Sequence, residues 1–317
     1  MQPVIAEVVR SGFVEGHHHG TIVALDAGHE VAYERGDVDA PMLPRSCNKP
    51  LQAVGLLRAG LDLDGELLAL ACASHSGEDF HLDGVRRILA GAGLDESALR
   101  TPPGWPLDDD VRDHVLRSGG GKTRAQMNCS GKHAAMLATC VTNGWPTDGY
   151  LDPDHPLQRA IAATFVELTG EPVVHVAVDG CGAPLLSTSL RGLARAFSVL
   201  ATSDRSEERR VADAIRRHPE YVSGTTRDEL ALLRAIPGAI AKAGAESCYA
   251  VALPDGRSFA LKTDDGAVRA RPVVMAALLR RFGVDVEPGV DADAVRRTGE
   301  APLTGGESVV GEIHAVL

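Results

Sequence analysis

Ser46 and Lys49 have the residue types and the spacing that an activated serine nucleophile needs. They lie three positions apart in the segment 45–50 (RSCNKP). Residues at this spacing share one face of a helical turn, so the hydroxyl and the amine can come within hydrogen-bonding distance. A lysine amine accepts a proton only when it is uncharged, and free lysine has a pKa near ~10.4. A Ser-Lys pair that works near neutral pH therefore needs burial and neighbouring cations that lower this pKa by roughly three units.

Two further segments carry a serine and a lysine that could belong to the same pocket. Ser74 lies in the polar segment 72–78 (CASHSGE), which follows an apolar run and places polar groups at the end of a buried element. Ser76, in the same segment, fits the N-cap of the helix predicted to follow. Lys262 ends a strand-like segment, a position that is also typical of a solvated edge charge.

Cysteines mark two more candidate positions. Cys129, Lys132 and His133 crowd the predicted start of a helix. The partial positive charge of a helix N-terminus favours a thiolate there, or holds a developing oxyanion. Cys181 lies between two glycines at the end of a predicted strand, beside Asp179, where a ligand can approach the thiol closely.

The elements that must position these residues follow an α+β pattern. Strand-like runs begin and end the chain, whereas helical patterns fill the middle, so we expect a mainly antiparallel sheet built from both termini, packed with helices and joined by a helical lobe. Pro50 fits the first turn of a helix that Gly60 ends, which puts Ser46 and Lys49 at its entry. Segment 16–20 (GHHHG) is predicted to be a solvated loop between strands. We expect residues 1–317 to form a single domain.

Composition narrows the classes of partner. The chain has 317 residues, of which 44% are hydrophobic and 24% charged, and a formal net charge of -11. This acidic balance argues against nucleic acid or an anionic membrane and favours a small-molecule substrate. No apolar run reaches ~18 residues, the six cysteines are too sparse for a disulfide scaffold, and the start lacks a signal-peptide pattern. We expect a reduced, cytoplasmic protein.

Taken in order, five motifs resemble the bacterial-type L-asparaginase II family related to the rhizobial enzyme. They are RSCNKP (45–50), CASHSGE (72–78), NCSGKH (128–133), DGCG (179–182) and KTDDG (262–266). The resemblance implies an amidohydrolase that releases ammonia from the side chain of L-asparagine. It also implies a fold similar to serine β-lactamases and glutaminases, and a homodimer.

The resemblance also assigns residues. It implies two Ser-Lys tandems, Ser46 with Lys49 and Ser74 with Lys262, and a zinc ion held by Cys129, Lys132 and Cys181. Arg45, His133 and Asp179 match the substrate-contacting neighbourhood. From the residues alone His133 would be the third zinc ligand, and it stays the alternative. Two other functions stay open: a glutaminase or other serine amidohydrolase on the same scaffold, and a non-catalytic zinc or amino-acid binding protein.

Overall fold

The computed structural model describes residues 2–317, and the chain separates into two compact units. The first unit comprises Met1–Cys47, Thr188–Thr202 and Ala231–Leu317, and the second comprises Asn48–Ser187 and Ser203–Leu230. Each unit is described by itself. The single domain expected over residues 1–317 stays a prediction.

The first unit is built on an eight-stranded antiparallel sheet, drawn from both ends of the chain as the sequence predicted. The strands are β1 (Val4–Arg10), β2 (Phe13–Leu25), β3 (Val31–Arg35), β6 (Ile240–Ala243), β7 (Cys248–Ala252), β8 (Ser258–Thr263), β9 (Pro302–Gly305) and β10 (Ser308–Ala315). Their order in the sheet is β6-β7-β8-β2-β1-β10-β9, and β3 also pairs with β2.

Helices cover this sheet. They are α7 (Leu190–Thr202), α11 (Ala270–Arg281) and α12 (Ala292–Thr298), with a 3₁₀ turn at Val284–Val286. Both α7 and α11 pack on β8, where Phe259 lies edge-on to Phe282 at 5.5 Å between ring centroids. Strand β8 pairs directly with β2, and Lys262 stands opposite Thr21. Lys262 is therefore fixed by a central strand of the sheet, whose backbone hydrogen bonds run on both sides.

The sequence analysis predicted a solvated loop for the histidine segment 16–20. In the structure this segment is part of β2 instead. His17 pairs with Glu7 of β1 in the strand register. The alternation of the strand sends His18 to the other face, where it is buried and hydrogen-bonded to Asp265. The prediction failed because three consecutive polar residues hide a strand in which only alternate side chains face solvent.

The second unit is mainly helical, which matches the predicted helical lobe. Its helices are α1 (Lys49–Arg58), α2 (Gly65–Ala71), α3 (Asp79–Gly91), α4 (Asp109–Arg117), α5 (Ser130–Thr142), α6 (Pro156–Thr169), α8 (Ser206–Arg217) and α9 (Pro219–Val222). It also contains a 3₁₀ turn at Glu96–Ala98 and a short hairpin of β4 (Val176–Val178) and β5 (Pro184–Leu186). Helix α10 (Asp228–Ala235) and the 3₁₀ turn Arg45–Asn48 cross the boundary between the units.

Helix α5 is the centre of the second unit, since residues 130–140 are all buried. Gly131 allows it to approach α2 closely: a Cβ built on this glycine would lie 2.5 Å from the carbonyl oxygen of Leu70. Real Cβ atoms do not come this close to a backbone oxygen, so only glycine fits at this crossing. The approach sets the depth of Lys132 and His133, the next two residues of α5.

In the described part of the chain, no helix has both the length and the apolar character needed to cross a membrane.

Candidate active site

In the second unit, Lys49 and Ser74 form a buried hydrogen bond. Lys49 Nζ lies 3.0 Å from Ser74 Oγ, and it also donates to the carbonyl oxygen of Ala73. Lys49 is fully buried and Ser74 is 5% exposed. Within residues 2–317, no carboxylate lies at ion-pair distance from Lys49. The amine is thus held by a hydroxyl and a carbonyl oxygen, which is the setting in which a lysine can exchange a proton with a serine.

Ser46 lies in the 3₁₀ turn Arg45–Asn48, directly before α1, and it is half-buried. Pro50 occupies the first turn of α1, as the sequence predicted. Arg45 has a φ of 50°, a conformation that non-glycine residues rarely adopt. Cys47, the residue after Ser46, donates its thiol to the carbonyl oxygen of Lys242 in β6 at 3.0 Å. This contact anchors the 3₁₀ turn, which contains Ser46, on the sheet of the first unit.

Ser74 is held by residues of the segment 222–227. The amide of Ser74 donates to the carbonyl oxygen of Val222 at 3.0 Å, and Arg227 Nη1 donates to the carbonyl oxygen of Ser74 at 3.2 Å. Arg227 also pairs with the fully buried Glu229, at 3.1 Å from Nη2 to Oε2. Arg227 thus ties the backbone of Ser74 to a buried carboxylate, a role that only the three-dimensional contact reveals.

Two carboxylates secure the same segment. Glu78 accepts hydrogen bonds from the amide and the hydroxyl of Thr225, and Asp108 accepts one from the hydroxyl of Thr226. The sequence analysis proposed Ser76 as the N-cap of α3, but Ser76 does not cap this helix. Its hydroxyl donates to the carbonyl oxygen of Ser223 at 2.6 Å, and the N-cap residue is Glu78. The hydroxyl of Ser76 therefore bonds to the 222–227 segment instead of capping α3.

In the first unit, Arg45 and Lys262 both contact Glu246. Arg45 Nη1 lies 3.4 Å from Glu246 Oε1, and Lys262 Nζ donates to the backbone carbonyl oxygen of Glu246 at 3.0 Å. Lys262 is half-buried, rather than a fully solvated edge charge. Two predicted site residues of this unit therefore converge on Glu246, which the sequence analysis did not single out.

The two cysteines predicted as ligands come together in the second unit. Cys129 and Cys181 are buried in one small cluster with Ala183. A hydrogen bond from Cys129, together with the nearby Lys132 and His133, holds the pKa of Cys181 well below its usual range. The same hydrogen bond to Cys181, together with burial, raises the pKa of Cys129. The pair therefore favours a proton on Cys129 over one on Cys181.

Lys132 points at Cys181. Its Nζ donates to Cys181 Sγ at 3.3 Å. Burial acts to lower the pKa of Lys132, but the sulfurs of Cys181 and Cys129 and the carboxylate of Asp179 outweigh it and raise that pKa. Asp179 lies in the β4–β5 turn, where its Oδ1 accepts from the amide of Gly180 at 2.9 Å and its Oδ2 lies 3.8 Å from Cys181 Sγ. Asp179 is therefore part of the same cluster.

His133 lies behind this group and is fully buried. Its Nδ1 is 2.8 Å from the hydroxyl of Tyr150, and the two rings meet edge-on. Burial lowers the pKa of His133, although Cys181 opposes that shift. Its Nε2 has no hydrogen-bond partner that meets normal geometry among residues 2–317. A buried nitrogen left in this state is available to a further group.

Cys129, Lys132 and Cys181 fit a soft divalent metal by their chemistry. Two sulfurs and an amine are donors that zinc accepts, provided that the thiols and the amine lose their protons on binding. Among residues 2–317, no group of three or more His, Cys, Asp and Glu side chains is arranged to hold a metal ion. Any such site would therefore depend on the lysine, as the resemblance implies, or on a shift of His133.

Seven predicted site residues thus lie in the second unit, and six of them form two groups: Lys49 with Ser74, and Asp179 with Cys129, Lys132 and Cys181. His133 adjoins the second group. Arg45, Ser46 and Lys262 lie in the first unit.

The first unit is an antiparallel sheet covered by helices and the second holds the Lys49–Ser74 pair, so the chain has an α+β fold that carries a candidate Ser-Lys site. The sequence profile of the L-asparaginase II family matches residues 6–315, and the chain belongs to this family. The motifs that suggested the family were therefore read correctly. Membership makes the protein a hydrolase of small amide substrates.

Solved structures similar to this chain share little sequence with it. A β-lactamase from Mycobacterium bovis is 14% identical, with 83% of this chain and 94% of that chain covered and a TM-score of 0.44. EstCE1, described as a hydrolase with promiscuous acyltransferase activity, is 12% identical, with coverage of 79% and 91% and a TM-score of 0.41. Mglu in its glutamate form is 15% identical, with coverage of 84% and 61% and a TM-score of 0.38. A comparison with curated proteins found no match.

Proposed function

We propose that the protein hydrolyses the side-chain amide of L-asparagine and releases ammonia and L-aspartate. The proposal is carried by one observation: a chain of the L-asparaginase II family, matched over residues 6–315, holds the buried Lys49 Nζ 3.0 Å from the hydroxyl oxygen of the buried Ser74. Burial removes competing water from such a pair, so that proton exchange between the two side chains is direct.

The chemistry proceeds in two halves. Ser46 Oγ attacks the amide carbon of the substrate while Lys49 takes the hydroxyl proton, and backbone N–H groups hold the oxyanion. The carbon–nitrogen bond breaks, the proton passes to the leaving group, and ammonia departs. Water then attacks the aspartyl ester, the ester bond breaks, and Ser46 regains its proton. Ser74 and Lys262 relay protons in this half.

A variant of this mechanism makes Ser74 the nucleophile with Lys49 as its base. The 3.0 Å contact between Lys49 Nζ and Ser74 Oγ favours it. Mass spectrometry of enzyme quenched during turnover distinguishes the two, since the aspartyl adduct adds its mass to the peptide that contains either Ser46 or Ser74. An adduct on Ser74 reverses the assignment.

The remaining predicted residues bind the substrate. Arg45 binds the α-carboxylate by a charge-assisted pair, and Asp179 accepts hydrogen bonds from the α-ammonium group. His133 lies near the substrate, and its hydrogen bond with Tyr150 fixes the orientation of the imidazole ring. Asp179→Asn is expected to raise KM for asparagine, whereas an unchanged KM contradicts the role of Asp179.

We further propose that Cys129, Lys132 and Cys181 hold a zinc ion. When bound, the ion supplies a fixed positive charge that shapes the pocket, because two thiolates and an amine leave it weakly electrophilic. Lys132 is the third donor in this proposal, with His133 as the alternative. The chemistry at Ser46 and Lys49 does not pass through the metal.

Ammonia release by the purified protein tests the function. L-asparagine is the expected substrate, and L-glutamine at equal concentration is the competitor that tests the alternative of a glutaminase. A chromogenic lactam tests for another serine amidohydrolase on the same scaffold. No product from any of the three, with asparagine binding intact, would support the second alternative, a non-catalytic zinc or amino-acid binding protein. The cytoplasmic location and the homodimer stay predictions, the latter testable by light scattering.

A further inference from the structure

His75 follows Ser74 in the chain and contacts both residues that flank Cys129. Its backbone amide donates to the carbonyl oxygen of Asn128 at 3.1 Å, and its ring nitrogen Nε2 lies 2.8 Å from the hydroxyl oxygen of Ser130. All of these residues belong to the second unit. His75 thus connects the candidate serine directly to the start of α5.

The hydrogen bonds of its neighbours determine which ring nitrogen of His75 carries the proton. The hydroxyl of Ser130 donates its only proton to the carbonyl oxygen of Ala125 at 2.7 Å, so towards His75 it accepts, and Nε2–H is the donor. The amide of Gly77 donates to Nδ1 at 3.2 Å, which makes Nδ1 an acceptor. The ring is therefore the neutral Nε2–H tautomer. Burial also lowers the pKa of His75, which favours the neutral ring.

His75 is the second of two anchors for the backbone around Ser74. The first is the segment 222–227, which accepts from the amide of Ser74 and donates to its carbonyl oxygen. The second is the bond from the side chain of His75 to Ser130, and both of these residues are fully buried. Because water does not compete with a hydrogen bond at such a site, this bond fixes how far the backbone at Ser74 lies from α5.

We propose that His75 is a positioning residue, which holds the hydroxyl of Ser74 at proton-exchange distance from Lys49 through its bond to Ser130. This inference rests on the proposed function, because it takes Ser74 as a member of the reacting group, whether as proton relay or as nucleophile. Both ring nitrogens of His75 are already bonded within the protein, so the residue acts through Ser74. A displacement of about 1 Å at a reacting group can cost about 10²-fold in rate, so this bond is expected to matter for kcat.

His155 provides a matched control in the same unit. Its Nδ1 accepts from the amide of Leu157 at 3.2 Å, and its Nε2 lies 3.0 Å from the carbonyl oxygen of Pro146. It is also buried. In both histidines Nδ1 thus accepts from the amide two residues further on, and Nε2 bonds to an oxygen of another segment. Only His75 adjoins a candidate catalytic serine.

The first test measures ammonia release from L-asparagine by His75→Asn, His75→Gln and His155→Asn. The asparagine side chain keeps an acceptor close to Nδ1 but is too short to reach Ser130, whereas the glutamine side chain can place an N–H close to Nε2. For His75→Asn we expect kcat to fall about 10–10²-fold with little change in KM, and His75→Gln is expected to recover most of this loss. His155→Asn should keep the kcat of the wild type. A kcat of His75→Asn equal to that of His155→Asn, or an equal loss in His75→Gln, would overturn the proposal.

Ser130→Ala tests the same bond from its other end, and it carries the experiment if His75→Asn does not fold. We expect kcat to fall about tenfold. The double variant of His75→Asn and Ser130→Ala should lose no more than His75→Asn alone, because both changes break one bond. Thr139→Val is the control, since it removes another buried hydroxyl of α5 that donates to a backbone carbonyl oxygen. Equal kcat values in Ser130→Ala and Thr139→Val would contradict the role of His75.

Crystal structures of the wild type, His75→Asn and Ser130→Ala separate a failure of this inference from a failure of the proposed function, because they need no turnover. We expect the distance between Lys49 Nζ and Ser74 Oγ to stay near 3.0 Å in the wild type. In the two variants it should exceed about 3.5 Å, beyond hydrogen-bond length. If the wild type releases no ammonia from asparagine but the distances differ in this way, the inference stands and the proposed function falls. If the distance in the variants equals that in the wild type, the inference falls whatever the activity.

Discussion

The amine of Lys49 lies 3.0 Å from the hydroxyl oxygen of Ser74, although the two residues are 25 positions apart in the chain. Lys49 also donates to the carbonyl oxygen of Ala73, so its amine is directed along the backbone that leads to Ser74. The relationship joins the first turn of α1 to the end of the segment after α2. It makes Lys49 the residue on which the proposed chemistry depends most.

Removing either the nucleophile or its base is expected to abolish turnover while leaving the fold intact. Lys49→Met keeps most of the buried volume but has no proton to exchange, and we expect kcat for ammonia release to fall by about 10²–10⁴-fold. Ser46→Ala is expected to prevent formation of the aspartyl ester. Lys122→Met, which changes an exposed lysine of the same unit, is the control. Lys49→Met with a kcat close to that of the control would disprove the role of the amine.

The metal proposal predicts that zinc content depends on particular cysteines. We expect about one zinc per wild-type chain, very little in Cys181→Ser, and an unchanged amount in Cys140→Ser, measured by mass spectrometry of the metal. Cys140 is an equally buried thiol on α5, where burial raises its pKa to about 11. The melting temperature should fall on chelation in the wild type and in Cys140→Ser. Equal zinc in the two serine variants would contradict the assignment.

Arg227 is expected to position Ser74 by holding its carbonyl oxygen. In Arg227→Gln we expect kcat to fall about tenfold with little change in KM, because Ser74 loses an anchor while the substrate contacts remain. The buried Glu229 loses a cationic partner as well, so the free energy of unfolding should fall by about 3 kcal/mol. Arg227→Lys keeps one charged donor and should recover part of kcat.

The exposed Arg209 of α8 provides the control for this experiment, as Arg209→Gln. If Arg227→Gln lowers stability but leaves kcat at the level of Arg209→Gln, Arg227 stabilises the fold without positioning the serine.

Stability is expected to decline in mildly acidic solution because of His81. Its Nε2 lies 3.0 Å from the carbonyl oxygen of Glu220, and burial lowers its pKa from 6.5 to about 4. Below pH 6.5 the unfolded chain therefore binds a proton at this residue that the folded chain does not. The free energy of unfolding should fall between pH 6.5 and pH 4 by about 3 kcal/mol, and change no further from this source below pH 4.

His75 adds to the same trend, since burial, followed by the nearby His81 and Lys49, lowers its pKa as well. Denaturant titrations at several pH values measure the decline. His81→Gln keeps a donor for the carbonyl of Glu220 but does not titrate, so it should flatten the pH dependence. His114→Gln, at an exposed position on α4, should leave it unchanged. An identical slope in both variants would exclude His81 as a source.

The sequence by itself determined the family, the α+β class and the elements that carry the candidate residues. Strand alternation and helical spacing are local properties, so the strands at both ends of the chain and the start of α1 at its proline were readable from the sequence. The ordered motifs likewise identified the residues capable of chemistry. The buried strand through His18 was missed because polar side chains masked its period.

Only the tertiary structure decided which of these residues meet. Lys49 bonds to Ser74, Arg227 holds the backbone of Ser74, and Glu246 contacts both Arg45 and Lys262. Each of these contacts joins segments far apart in sequence, and their geometry depends on how helices and strands pack. Local spacing fixes which side chains share a face of one element, whereas the approach of two elements is set by the burial of their apolar surfaces and by positions such as Gly131.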